Sequence, residues 1–199
     1  GRVGLTNHVP ESCAPGSEVA CMSLMGYDPL QYFTGRAPLE AAAKGISLGP
    51  DDWAVRCNLV TIKDNGDGPV MVDFTADHIT TSESTALLKA AQEGLLRDFP
   101  ELNSWEFVPG VSYRNLFLYQ SKSNVGCGLG KDLRTTAPHD RVNQCISDAF
   151  PRGTGSRLLT EIMGRSESWL KDHSVNQLRK KKGLGTATHV WLWGAGQRP

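Results

Sequence analysis

The stretch AVRCNLVTIKDNGDGPVMVDFT, residues 54–75, decides the fold. Residues 54–62 follow the two-residue period of a strand. Val55, Cys57, Leu59 and Thr61 fall on one face, and Arg56, Asn58, Val60 and Ile62 on the other. Asn65-Gly66-Asp67-Gly68 is a turn signal, because glycine takes positive φ at no steric cost. Residues 70–75 then return as a second strand.

Beyond this pair the same alternation continues. Thr80 and Glu83 have capping-box spacing, and the helix they open carries Leu87, Leu88, Ala91, Leu95 and Leu96 as one apolar stripe. Residues 105–108 and 111–119 read as strands joined at Pro109-Gly110, and residues 121–138 as loop. Residues 155–171 form a second amphipathic helix that buries Leu158, Leu159, Ile162, Met163, Trp169 and Leu170, and residues 189–193 a last strand. Upstream, Ser17 opens a short helix that stops near Gly26, and Pro38 starts another over 39–44 that ends at Gly45. The order strand, strand, helix, strand, strand, helix predicts an α+β fold. It is a two-layer sandwich of a mixed or antiparallel sheet with helices on one face, leaving the other face free for a site.

Composition narrows the function. The 199 residues carry 21 basic and 21 acidic side chains, so no net field attracts nucleic acid or an anionic membrane. An apolar share of 39% supports a core, while 21 glycines and 11 prolines imply many turns. No segment reaches the ~20 apolar residues of a membrane span. The five cysteines, 13, 21, 57, 127 and 145, are odd in number and contain no Cys-x-x-Cys pair. That argues against a zinc ribbon or a disulfide framework and for free thiols in a reducing, cytoplasmic setting.

Candidate chemistry is spread along the chain. Ser17 follows Pro15-Gly16 at a helix start, where free amides and the helix dipole favour an anion; its plainer reading is an N-cap. Arg56 and Asn58 share a strand face, Arg114 lies in a later strand, His139-Asp140 follows Pro138, and Asp77-His78 precedes the capping box. Guanidinium groups suit phosphate and carboxylate, although each of these residues read singly fits a surface or capping position. Gly126-Cys127-Gly128-Leu129-Gly130-Lys131 is not a P-loop, because the spacing is wrong and Asp132 stands where Ser or Thr is needed. The basic run from Arg179 to Lys182 fits a helix C-terminus.

A set of collinear blocks resembles archaeal-type cofactor-independent phosphoglycerate mutases of the alkaline-phosphatase superfamily. They are Pro15-Gly16-Ser17-Glu18-Val19-Ala20, Met22-Ser23-Leu24-Met25-Gly26-Tyr27-Asp28-Pro29, Tyr32-Phe33-Thr34-Gly35-Arg36-Ala37-Pro38-Leu39-Glu40-Ala41-Ala42 and Arg56-Cys57-Asn58-Leu59-Val60-Thr61. Pro109-Gly110-Val111-Ser112-Tyr113-Arg114, Pro138-His139-Asp140, Asp172-His173-Ser174-Val175-Asn176 and Trp191-Leu192-Trp193-Gly194 continue the series. The resemblance implies a metal-dependent enzyme that interconverts 3-phosphoglycerate and 2-phosphoglycerate through a phosphoserine. Ser17 would be nucleophile and metal ligand, and Arg56, Asn58, Arg114, His139, Asp140 and His78 would bind substrate. Two divalent ions (Mn, Zn or Mg) would sit in a full-length parent, with the remaining ligands outside this chain and none bound to the chain alone. The expected partner is small-molecule phosphoglycerate, with neither nucleic acid nor membrane.

The resemblance also divides the chain. Residues 1–49 are a phosphatase-like core segment with Ser17, 50–182 an inserted substrate-binding domain, and 183–199 a strand returning to that core. Cys21 stands where Asn is usual in the family, and Asp77 where Gly is usual. Some relatives are labelled proposed homoserine kinases, so a kinase-like phosphotransferase is an alternative, as is a non-catalytic fragment.

Overall fold

The computed structural model describes residues 8–13, 16–121 and 126–198. Pro15 of the expected Pro-Gly turn and residues 122–125 of the expected loop lie outside them.

Strand β1 (Trp53–Asp64) is the axis of a five-stranded sheet. It pairs with β2 (Pro69–Asp73) over residues 61–64, with β4 (Arg114–Tyr119) over 53–58 and with β5 (His189–Gly196) over 54–60. β3 (Trp105–Val111) pairs with β4, and every pairing is antiparallel. Since β4 and β5 pair with the same residues of β1, they occupy its two opposite edges.

One face of this α+β fold holds the main core. Val55, Cys57 and Leu59 of β1 and Phe107 and Phe117 of β3 and β4 belong to one buried cluster with Leu87, Leu88, Ala91 and Leu95 of α4 (Thr81–Asp98). Leu159, Ile162 and Met163 of α5 (Ser156–Leu170) complete it. The capping box closes α4 as expected: Thr80 N–H donates to Glu83 Oε2 (3.0 Å), and Glu83 N–H to Thr80 Oγ1 (3.3 Å). Leu96 falls outside the stripe and is exposed, whereas Gly94 is inside it, pressed against Trp169.

The opposite face is not open. Upstream lie α1 (Ser17–Leu24), α2 (Pro29–Tyr32) and α3 (Arg36–Ala43). Ala37 and Ala41 of α3 pack with Leu48 on Ala54, Leu116 and Leu118, so a second small core covers part of that face. Small side chains on α3 allow this close approach, and α3 starts two residues before Pro38. Among the described residues no helix is long and apolar enough to cross a membrane.

One further expectation is corrected. The β3–β4 connection is at Ser112-Tyr113, not Pro109-Gly110. Val111 pairs with Arg114, and Ser112 takes φ 55°. Pro109-Gly110 is absorbed as a bulge in an edge strand, where the missing proline N–H costs little. There Gly110 N–H donates to Asn115 Oδ1 (2.8 Å), and a Cβ would overlap the Arg114 carbonyl. Residues 189–196 form β5 and run beside most of β1. Asn176 of α6 (Ser174–Lys181) holds the approach to β5, donating to the carbonyls of Leu170 and Ala187 (2.8 Å each).

Candidate functional site

Trp193 organises the covered face of the sheet. Cross-strand pairing sets Arg56 opposite both Leu116 and Trp193, and Asn58 opposite Arg114. The Arg56 guanidinium carbon lies 4.2 Å from the Trp193 ring centroid, a cation–π contact. The indole N–H donates to Asn58 Oδ1 (3.0 Å), while Asn58 Nδ2 donates to the Phe74 carbonyl (3.2 Å). Asn58 is thereby fixed by a donor and an acceptor. His139 packs edge-on against both Trp193 (5.4 Å) and Phe74 (5.9 Å). Phe74 meets Tyr113 (5.6 Å), over whose ring Arg114 sits at 5.5 Å. An aromatic run thus links Arg56 and Asn58 through His139 and Phe74 to Arg114.

Arg56 is buried and paired. Its Nε donates to Glu40 Oε2 at 2.9 Å. Burial lowers its affinity for the proton, Glu40 raises it, and the nearby charges of Arg36 and Arg114 lower it again, leaving a net shift below the ordinary arginine value. Glu40 of α3 is thus the carboxylate partner of this arginine. Arg36 and Glu40 face each other four residues apart on α3 (3.3 Å), a spacing readable in the sequence. Arg114 is exposed and, among the described residues, pairs with no carboxylate within 4.0 Å.

Ser17 connects to this cluster through charges. It is the first residue of α1 rather than its N-cap; Gly16 holds that position. Ser17 Oγ donates to Glu18 Oε2 (3.2 Å), the same oxygen takes Arg36 (3.4 Å), and Arg36 reaches Glu40. A chain Ser17–Glu18–Arg36–Glu40–Arg56 therefore runs from the helix start to the sheet. Cys21, one turn after Ser17, is exposed.

Two predicted residues stand apart. Asp140 is mostly exposed, 3.7 Å from the His139 Nε2. His78 lies in the β2–α4 turn, where its N–H donates to Thr75 Oγ1 (3.0 Å). Its contacts run there rather than to Arg56 or His139. Trp193, Glu40 and Arg36 were not singled out from the sequence as single residues, although the blocks quoted above contain all three. Among the described residues no group of three His, Cys, Asp or Glu side chains could hold a metal ion, so the local residues do not by themselves fit one.

Three comparisons bear on this arrangement. The family model described as 2,3-bisphosphoglycerate-independent phosphoglycerate mutase matches residues 1–176. A protein of that name from Methanothrix thermoacetophila is 43% identical over 199 residues, covering all of this chain and 46% of that protein. One from Methanosarcina mazei is 38% identical with the same coverage. The solved cofactor-independent phosphoglycerate mutase from Thermoplasma acidophilum superposes with a TM-score of 0.62 at 25% identity, covering 93% of this chain and 47% of that one. The chain thus spans about half the length of the curated relatives it matches. On the matched length and these identities, the chain belongs to the 2,3-bisphosphoglycerate-independent phosphoglycerate mutase family.

Proposed function

We propose that this chain is the serine-bearing and substrate-gripping part of a phosphoglycerate mutase that interconverts 3-phosphoglycerate and 2-phosphoglycerate. The supporting observation is the run of charged contacts from Ser17 to Arg56, beside the unpaired Arg114. The Ser17 Oγ bonds to phosphorus as the bond to the substrate's 3-oxygen breaks; its proton passes to that oxygen. The phosphoryl group then returns to the 2-oxygen, and Ser17 regains a proton. The net reaction is an isomerisation that consumes nothing. At the start of α1 the first amides have no partner within the helix and favour the phosphoserine charge. Arg114 is the free guanidinium for the substrate's phosphate or carboxylate, while Arg56 with Glu40 and Trp193 forms the rigid floor beneath it.

Divalent ions (Mn, Zn or Mg) would lower the proton affinity of the Ser17 hydroxyl. Their remaining ligands belong in this reading to the rest of a longer parent, so residues 1–199 alone do not turn over. An enolase-coupled assay with added manganese tests this on two proteins. The 199-residue chain should stay at background. A full-length parent should be active and lose at least about 10³-fold in kcat on Ser17→Ala, as loss of a nucleophile does. Activity of the short chain that disappears in Ser17→Ala would contradict the need for outside ligands. An active parent indifferent to Ser17→Ala would remove the serine from the mechanism.

A further inference from the structure

A basic cavity lies where the start of β1 meets the end of β5. It has a volume of about 330 Å³, and Lys131, Arg134 and Arg198 line it together with Thr34 and Gly196; among the described residues no Asp or Glu does. Among the described residues none of the three cations forms an ion pair within 4.0 Å. Asp132 is close enough to feel Arg134, but its carboxylate is turned to Thr154, accepting from N–H (3.0 Å) and Oγ1 (3.1 Å).

The walls are built rather than loose. Arg134 is anchored by donation from one terminal nitrogen to the carbonyls of Lys131 (3.0 Å) and Leu133 (3.1 Å), which leaves the rest of its fork for a ligand. Its loop is tied to the segment before α5 by the reciprocal Arg134–Arg152 backbone pair (2.8 and 2.9 Å) and by Gly130 N–H to the Thr154 carbonyl (3.2 Å). Opposite, the chain around Gly35 and Gly196 crosses with backbones in contact. A Cβ on Gly35 would overlap the Ala195 carbonyl, and one on Gly196 the Thr34 carbonyl.

Three cations around one cavity repel each other, a cost that a bound anion reverses. The volume exceeds what a single orthophosphate fills and lies within the range of small-molecule sites. We propose that this pocket binds a small polyanion bearing two phosphate or carboxylate groups, at a site separate from the proposed substrate grip, since no residue of the Arg56–Trp193–His139–Arg114 set lines it.

Inorganic pyrophosphate titrated into the 199-residue chain and followed by amide chemical shifts tests this. Saturable shifts should centre on Thr34, Lys131, Arg134 and Gly196 and weaken with added salt. Lys131→Ala/Arg134→Ala, folded by its shift dispersion, should bind at least about tenfold more weakly, equivalent to ~1.4 kcal/mol. Arg114→Ala should bind within about twofold of the original. No saturation by about 10 mM pyrophosphate, a regime weaker than any specific site, would overturn the proposal. So would shifts confined to the surroundings of Arg114, or an equal loss in Arg114→Ala.

Discussion

Arg56 and Cys57 are neighbours on β1 and show how strand period assigns environment residue by residue. Arg56 reaches a carboxylate and an indole on one face, while Cys57 is sealed in the core on the other, where burial pushes its thiol far above the ordinary range. Cys127 is raised for the same reason. Cys145 is exposed and lowered, chiefly through its hydrogen bond with Ser147 (3.2 Å). Since the thiolate is the reacting form, brief iodoacetamide treatment of the native chain should label Cys145 well before Cys127 and leave Cys57 intact, as read by peptide mass spectrometry. Early labelling of Cys57 would show that the sheet core opens on that timescale. His189 is likewise held neutral. Burial beside Ile62, Ile146, Phe150, Met163 and Trp191 lowers its pKa, only partly countered by Glu167 at 4.0 Å. The unfolded chain therefore takes up this proton first as pH falls. The associated stability is complete above about pH 6.5 and is lost as pH drops through the lower folded value. Urea midpoints at pH 7 and pH 5.5 should separate more for the original chain than for His189→Gln.

Among elements, the α4–α5 contact is the most sharply constrained. Gly94 sits inside α4, where glycine costs a helix roughly 1 kcal/mol relative to alanine. It is there because the Trp169 ring of α5 occupies the space a Cβ needs, and that indole is fixed by its bond to Asp98 (2.8 Å). Gly94→Ala should therefore destabilise by about 1–3 kcal/mol despite its better helix propensity, because the ring must be displaced. A denaturant midpoint at or above the original would mean that Trp169 moves freely. The stripe of the sequence reading counted Leu96 and passed over Gly94, since hydrophobic periodicity marks which side chains want burial, not how near a neighbouring helix comes.

Across the whole molecule, one buried arginine ties three segments together. Arg179 of α6 donates to the Gly185 carbonyl (2.7 Å), to Glu83 of the α4 capping box (2.8 Å) and to the carbonyls of Ala76 (2.8 Å) and Asp77 (3.0 Å). Ala76, Asp77 and His78 all have φ near +50°, a conformation non-glycine residues adopt at a cost, and Arg179 holds two of their carbonyls. Arg179→Met would leave Glu83 without its cation and those carbonyls without donors. A loss of about 3 kcal/mol is expected, with faster amide exchange in residues 76–83 and 185–187; an unchanged melting curve would contradict it. From the sequence this arginine belonged to a basic run at a helix end. Its neighbours Lys180, Lys181 and Lys182 are exposed, and Arg179 alone faces inward.

The sequence by itself determined that the strands exist, though not where β3 turns into β4, together with the two long helices, the capping box and the antiparallel start of the sheet. Each of these is a local pattern with its own period or turn chemistry, legible in a window of a dozen residues. The collinear blocks likewise carried the family. Only the tertiary structure decided that β5 lies along β1, that α3 roofs the face of Arg56, and that Glu40 and Trp193 are the partners of that arginine. Arg56 and its two partners are 16 and 137 positions apart in the chain. These pairings depend on which edge of β1 was vacant and on how closely alanines let a helix approach, and neither quantity is written in any local stretch of chain.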